Sequence, residues 1–173
     1  MRKLAPLLLA CVISTGAYAQ ESSIPKEISG YRGINVSFSE NAQNCNLKDA
    51  KLFEDHLRTK LAGIGVTQRE DLYSYVDLLI SGQKFGIIGG HCVTEVRMNF
   101  YAVLTPANIV TSDERLKSTL NKLERIPLTY YQDGQIGVQP QDQPSGGGES
   151  TTSQEAVLKM IENLVESLKS KRQ

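Results

Sequence analysis

The side chains with the most distinctive chemistry in this 173-residue chain are Cys11, Cys45, Cys92, His56 and His91. Cys45 and Cys92 suit one another as a disulfide that closes a loop of about 48 residues, which would stabilise the fold by roughly 4 kcal/mol in the chain-entropy description. The alternative is a redox pair. The chain lacks the C-x-x-C motif of thioredoxin-type chemistry, but Cys45 precedes a predicted helix, and a helix N-terminus lowers a thiol pKa. Cys45, His56, His91 and Cys92 also make up a Cys₂His₂ inventory. A zinc shell needs its donors within about 2.3 Å of one point, whereas His56 falls about 15 Å along the predicted helix from Cys45. A smaller set of His91, Cys92 and a carboxylate stays open. The expectation is no metal, no cofactor and no catalytic set.

Other motifs are weaker still. Ile87-Ile88-Gly89-Gly90, Gly89-Gly90-His91-Cys92 and Ser145-Gly146-Gly147-Gly148 echo pieces of the chymotrypsin-like serine proteases. There, however, the first motif and the histidine motif lie far apart, while here they overlap, and Ser145 sits in a linker without a base beside it. Gly86, Gly89 and Gly90, and the run Gly146 to Gly148, match neither G-x-x-x-x-G-K-[ST] nor G-x-G-x-x-G. Glu54 with Asp55, and Asp113 with Glu114, are adjacent in sequence, so they do not share a helix face as acid and base.

The leader sets the compartment. Arg2 and Lys3 precede an apolar run from Leu4 to Ile13, and Ala17-Tyr18-Ala19 before Gln20 is an A-x-A cleavage site. This predicts a bacterial signal peptide over 1–19, cut between Ala19 and Gln20, and a periplasmic product without a transmembrane segment. A rival reading takes Leu8-Leu9-Ala10-Cys11 as a lipoprotein box with Cys11 lipidated. Cleavage at Gln20 removes Cys11 and leaves Cys45 and Cys92 as an even pair in an oxidising compartment. Without Arg2 and Lys3 the chain has 17 basic residues against 19 acidic, a net of −2. Nucleic-acid binders normally carry a basic excess, so nucleic acid is not expected as a partner.

These residues are positioned by a short series of elements. Residues 20–30 are polar and read as a flexible arm. Ile34, Val36 and Phe38 alternate with Asn35, Ser37 and Ser39, the period of a half-buried strand. Asn46 is a candidate N-cap for a helix whose stripe is Ala50, Phe53, Leu57, Leu61 and Ile64. Val76 to Phe85 reads as a second strand, residues 86–90 as a glycine turn, and Cys92 to Leu104 as a third strand with its even positions apolar. Residues 105–125 suit either a helix capped by Ser112 or an extended arm. Leu128 to Val138 reads as a strand broken by a turn at Asp133-Gly134. Residues 139–152 are a flexible linker. Thr152 and Glu155 form a capping box for an amphipathic helix over 153–171 that docks back on the 31–138 domain.

The expected fold class is α+β: a two-layer sandwich with a mainly antiparallel four-stranded sheet and two helices packed on one face. The element order resembles that of small α/β domains of exported envelope proteins. One sheet face would then stand free of helices, carrying Asn35, Ser37, Glu95, Arg97, Asn99 and Tyr101 as a candidate interaction surface. The function expected is a non-enzymatic binding or envelope-assembly module whose partner is an envelope protein or a small ligand. An enzyme with a site near His91 is the alternative.

Overall fold

The computed structural model describes residues 24–85, 91–106, 109, 111–140 and 153–173. The leader with Cys11 and the Ala19–Gln20 junction, the glycine turn at 86–90, and linker residues 141–152 with the Thr152 cap lie outside them.

In chain order the elements are α1 (Ile24–Glu27), β1 (Gly30–Tyr31), β2 (Gly33–Phe38), a 3₁₀ turn (Ala42–Cys45), α2 (Ala50–Gly63), β3 (Thr67–Gln68), β4 (Ser74–Phe85), β5 (His91–Leu104), α3 (Glu114–Leu120), β6 (Ile126–Pro140) and α4 (Ser153–Arg172). The main sheet has the order β2-β4-β5-β6. β2 runs parallel to β4 across the α2 crossover, and the other two junctions are antiparallel. β1 and β3 form a separate parallel pair. The fold is α+β with a mixed four-stranded sheet.

Period two decides which face is covered. Val76, Leu78 and Ile80 of β4, and Cys92, Thr94, Val96, Met98 and Phe100 of β5, are fully buried, while the alternate residues between them are partly or fully exposed. The helix stripes supply the other half of the core: Phe53, Leu57 and Leu61 from α2, and Val157, Ile161, Leu164, Val165 and Leu168 from α4. Phe38 meets Phe53 at 6.1 Å between ring centroids, and Thr94 reaches the Met160 sulfur at 3.9 Å. Both helices therefore lie against the face of the even-numbered residues.

Several boundaries differ from the sequence expectation. The cap of α2 is Asp49, whose side chain accepts from the Leu52 N–H at 3.0 Å. Asn46 instead closes the 3₁₀ turn in a left-handed conformation with φ 58°, which asparagine tolerates better than most residues. Gly65, at φ 76°, follows α2 where the chain reverses. β6 continues through Asp133-Gly134 with no turn; its irregularity is a bulge opposite Phe100/Tyr101. The 105–125 segment holds the helix α3, capped by Asp113 and not Ser112, with Leu116 and Leu123 exposed. The arm expected over 20–30 is tied down at its end, because Ile28 and Tyr31 are buried in the core.

Candidate functional site

The structure joins Cys45 and Cys92 in a disulfide with their Cα atoms 5.8 Å apart. Cys45 ends the 3₁₀ turn, and that turn lies directly on β4 because Gly82 stands beneath it. A Cβ at Gly82 would come 3.1 Å from the Ala42 Cα and 3.4 Å from the Cys45 Cβ. Both cysteines are sealed in the core, so the bond is a staple between the turn and β5, remote from any solvent-borne reactant. As disulfide sulfurs they offer no thiolate to a metal.

All six candidate surface residues fall on the face that the helices leave open. The strand register sets them in rows. Asn35, Asp77, Asn99 and Gln132 lie side by side across the four strands, and Ser37, Leu79, Arg97 and Gly134 form the next row. Asp77 is the hub of the first: its Oδ1 accepts from Asn35 Nδ2 at 2.8 Å and from Ser37 Oγ at 3.5 Å. Asn99 Oδ1 is covered yet accepts no hydrogen bond among the described residues. Arg97 donates from Nε to Glu95 at 2.7 Å, and its stem crosses Gly134, where a Cβ would meet Arg97 Cγ at 3.3 Å. At one end Tyr75 and Tyr101 stack with centroids 5.6 Å apart. Partial burial, with Asp77 and Tyr75 nearby, pushes the Tyr101 hydroxyl pKa up. At the other end Phe85, Ile136 and Val138 are 50%, 71% and 65% exposed, with Val93 directly opposite Val138 and one row from Phe85.

The histidines go elsewhere. His91 is exposed at the end of β5, opposite Phe85 and Pro140. His56 lies between the helices, its Nε2 3.6 Å from Glu162 Oε1, while Lys60 and Lys159 bond the same carboxylate. Those two ammonium groups hold the Glu162 carboxyl down at about 2. Burial, aided by Lys60, lowers the His56 pKa. Among the described residues no three His, Cys, Asp or Glu side chains gather as a metal set.

Two polar features had no counterpart in the sequence reading. A cleft of about 360 Å³ is lined by Glu27, Ile28, Ser29, Gly30, Leu72, Ser74 and Tyr130, with Ser74 and Tyr130 joined through their hydroxyls. It lies at the Ser74 end of β4, roughly 35 Å of strand away from His91. Under α4, Asp133 accepts from Ser167 Oγ at 2.7 Å, Lys171 Nζ at 2.9 Å and Tyr131 OH at 3.1 Å. Burial raises the Asp133 pKa, but the bonds from Lys171 and Ser167 outweigh it and leave the carboxyl below its ordinary value. Burial first, then the neighbouring Asp133, drives the Tyr131 hydroxyl well above its own. The sequence reading also missed Asp77, Tyr75 and Gln132. Period two on β4 could have flagged the first pair; Gln132 was hidden by the supposed turn.

No family model matches the chain, and no curated protein matches it by sequence. Among solved structures it is similar to a hypothetical protein from Chlamydia trachomatis, at 10% identity and a TM-score of 0.50, over 83% of this chain and 98% of that one. It is also similar to a PelC dodecamer subunit from Paraburkholderia phytofirmans (TM-score 0.39, 13% identity, 82% and 88% covered) and a minor lipoprotein from Acinetobacter baumannii (TM-score 0.32, 13% identity, 81% and 91% covered). The Chlamydia likeness extends to the fold alone, and the other two superpose too loosely to carry an argument.

Proposed function

We propose that this chain is an exported bacterial envelope protein that acts by holding a protein partner against the open face of its sheet. The observation that carries the reading is that face itself. It combines a polar ladder centred on Asp77, a hydrogen-bond acceptor on Asn99 without a donor among the described residues, and exposed apolar side chains at Phe85, Ile136 and Val138. Specific protein contacts mix polar and apolar surface in this way. A wide sheet face suits a protein better than a small ligand, which usually needs a concavity.

Export is supported by the leader over 1–19 and by the pairing of the two cysteines that remain after cleavage before Gln20. The enzyme reading has less behind it: His91 stands exposed at the end of a strand, far from the described cleft. The test is crosslinking in the native envelope. The combined Arg97→Ala and Tyr101→Ala change is expected to abolish crosslinks to an envelope protein while the chain stays folded and exported; unchanged crosslinks would refute the reading. N-terminal sequencing separates the two export routes, since Gln20 at the N-terminus supports cleavage and an acylated Cys11 supports a lipid anchor.

A further inference from the structure

The outer edge of β6 has a phase that can be worked out. The Val103 N–H bonds to the Tyr73 C=O at 2.9 Å, and these residues lie opposite one another, one step beyond the Ser74–Ala102 pair. Bonded and non-bonded pairs alternate in an antiparallel ladder. Odd residues of β5 therefore bond to β4, and even residues bond to β6. The β6 partners of the even residues include Asp133, Gln135 and Gly137. That leaves the N–H and C=O groups of Gln132, Gly134, Ile136 and Val138 pointing outward, where no described strand pairs with them. Natural edges are usually blunted by charge. β6 spans Ile126–Pro140 with one charged residue, Asp133, and its carboxylate is engaged by Lys171 and Ser167.

We infer that this edge pairs with β6 of a second copy of the chain, antiparallel about a two-fold axis at Gln135. That register sets Gly134 against Ile136 of the other copy, and Gln132 against Val138, so all four outward residues are used in both directions. They would exchange about eight backbone hydrogen bonds. Centring on Gly134 runs Val138 into the bulge, and centring on Ile136 sets Gln132 against Pro140, which has no N–H. No like charges meet, because Asp133 falls opposite Gly137. On the open face, Ile136 and Val138 of each copy would merge into one apolar patch across the seam.

The helix layer fits the same axis. α4 packs over both β5 and β6, so two copies of α4 would stand about 10 Å apart, an ordinary distance for packed helices. The flank of α4 nearest the edge is marked by Asn163, bonded to Gln135 at 3.2 Å, and by Ser167, bonded to Asp133. Ala156 and Ser170 share that flank at helical spacing. These four are small or uncharged, and Lys171, which shares the flank four residues beyond Ser167, is held down on Asp133 at 2.9 Å. This pairing is independent of the partner-binding reading: a monomer would leave the Arg97 and Tyr101 crosslinks untouched, and lost crosslinks would leave a dimer untouched.

Sedimentation velocity of the exported protein at micromolar concentration is expected to give a dimer. Ile136→Lys, at an exposed position, should return the monomer value with an unchanged far-UV spectrum. Gln135→Cys should crosslink two copies through its own residue, since residues on the two-fold lie within disulfide reach, and Cys45 and Cys92 are too buried to exchange. A monomer at every concentration would overturn the proposal. So would a dimer that survives Ile136→Lys and fails to crosslink through Gln135→Cys.

Discussion

The two faces of the β2-β4-β5-β6 sheet are built from the same strands, one residue out of step, and they have opposite chemistry. On one, Val76, Leu78, Ile80, Val96, Met98 and Phe100 are sealed against α2 and α4. On the other, Asn35, Asp77, Asn99, Glu95 and Arg97 bond to one another in part and remain partly exposed. The first face answers for stability, because removing apolar surface from water is the dominant favourable term in folding. The second holds short-range polar contacts whose net worth in water is small. Its residues are consequently free to be chosen for what they meet.

The contrast can be tested in order of effect. Phe100→Ala removes a fully buried ring packed on Tyr130 and Tyr131, and urea unfolding should register a loss of about 3–5 kcal/mol. Removing the staple with Cys45→Ser and Cys92→Ser frees a loop with a sequence separation of 47 and should reduce stability by about 4 kcal/mol. A mass measurement with and without reductant checks that the bond forms in the exported protein.

Asp133 tests a polar group on the covered face. Its folded-state pKa is depressed, so its contribution is present above the unfolded Asp pKa of about 4 and is lost as pH falls through the lower folded value. Asp133→Asn should reduce stability at neutral pH by about 1–2 kcal/mol and flatten the acid limb of the pH–stability curve. The smallest stability effect belongs to the open face. Arg97→Ala with Tyr101→Ala breaks an exposed ion pair and one tyrosine stack and should change stability by about 1 kcal/mol or less. A loss there as large as that of Phe100→Ala would mean the open face is structural, and the comparison between faces would fail.

Much of this division was legible in the residue order. The alternation over 34–39 and 92–104 and the stripes of the two long helices each follow from a local period, 2.0 or 3.6, that needs no knowledge of partners. The start of α2 was misjudged because Asn46 and Asp49 are both good caps in isolation. The left-handed turn at Asn46 is required only once Cys45 is drawn onto β4. Asp133-Gly134 read as a turn for a similar reason: the pair has turn chemistry, but β5 and α4 hold it in a continuous strand.

By itself the sequence determined the α+β class, the placing of Asn35, Ser37, Glu95, Arg97, Asn99 and Tyr101 on one sheet face, and the two helices that cover the other. These are consequences of side-chain period, and period is written along the chain. Only the tertiary structure decided that Asp77 gathers Asn35 and Ser37, that Lys171 and Ser167 engage Asp133, that β1 pairs with β3, and that β6 is the outermost described strand, with its outward groups at 132, 134, 136 and 138. Each of these depends on register between segments far apart in the chain. Register is fixed when the whole core packs, because a slip of one residue would turn every buried side chain to the wrong face.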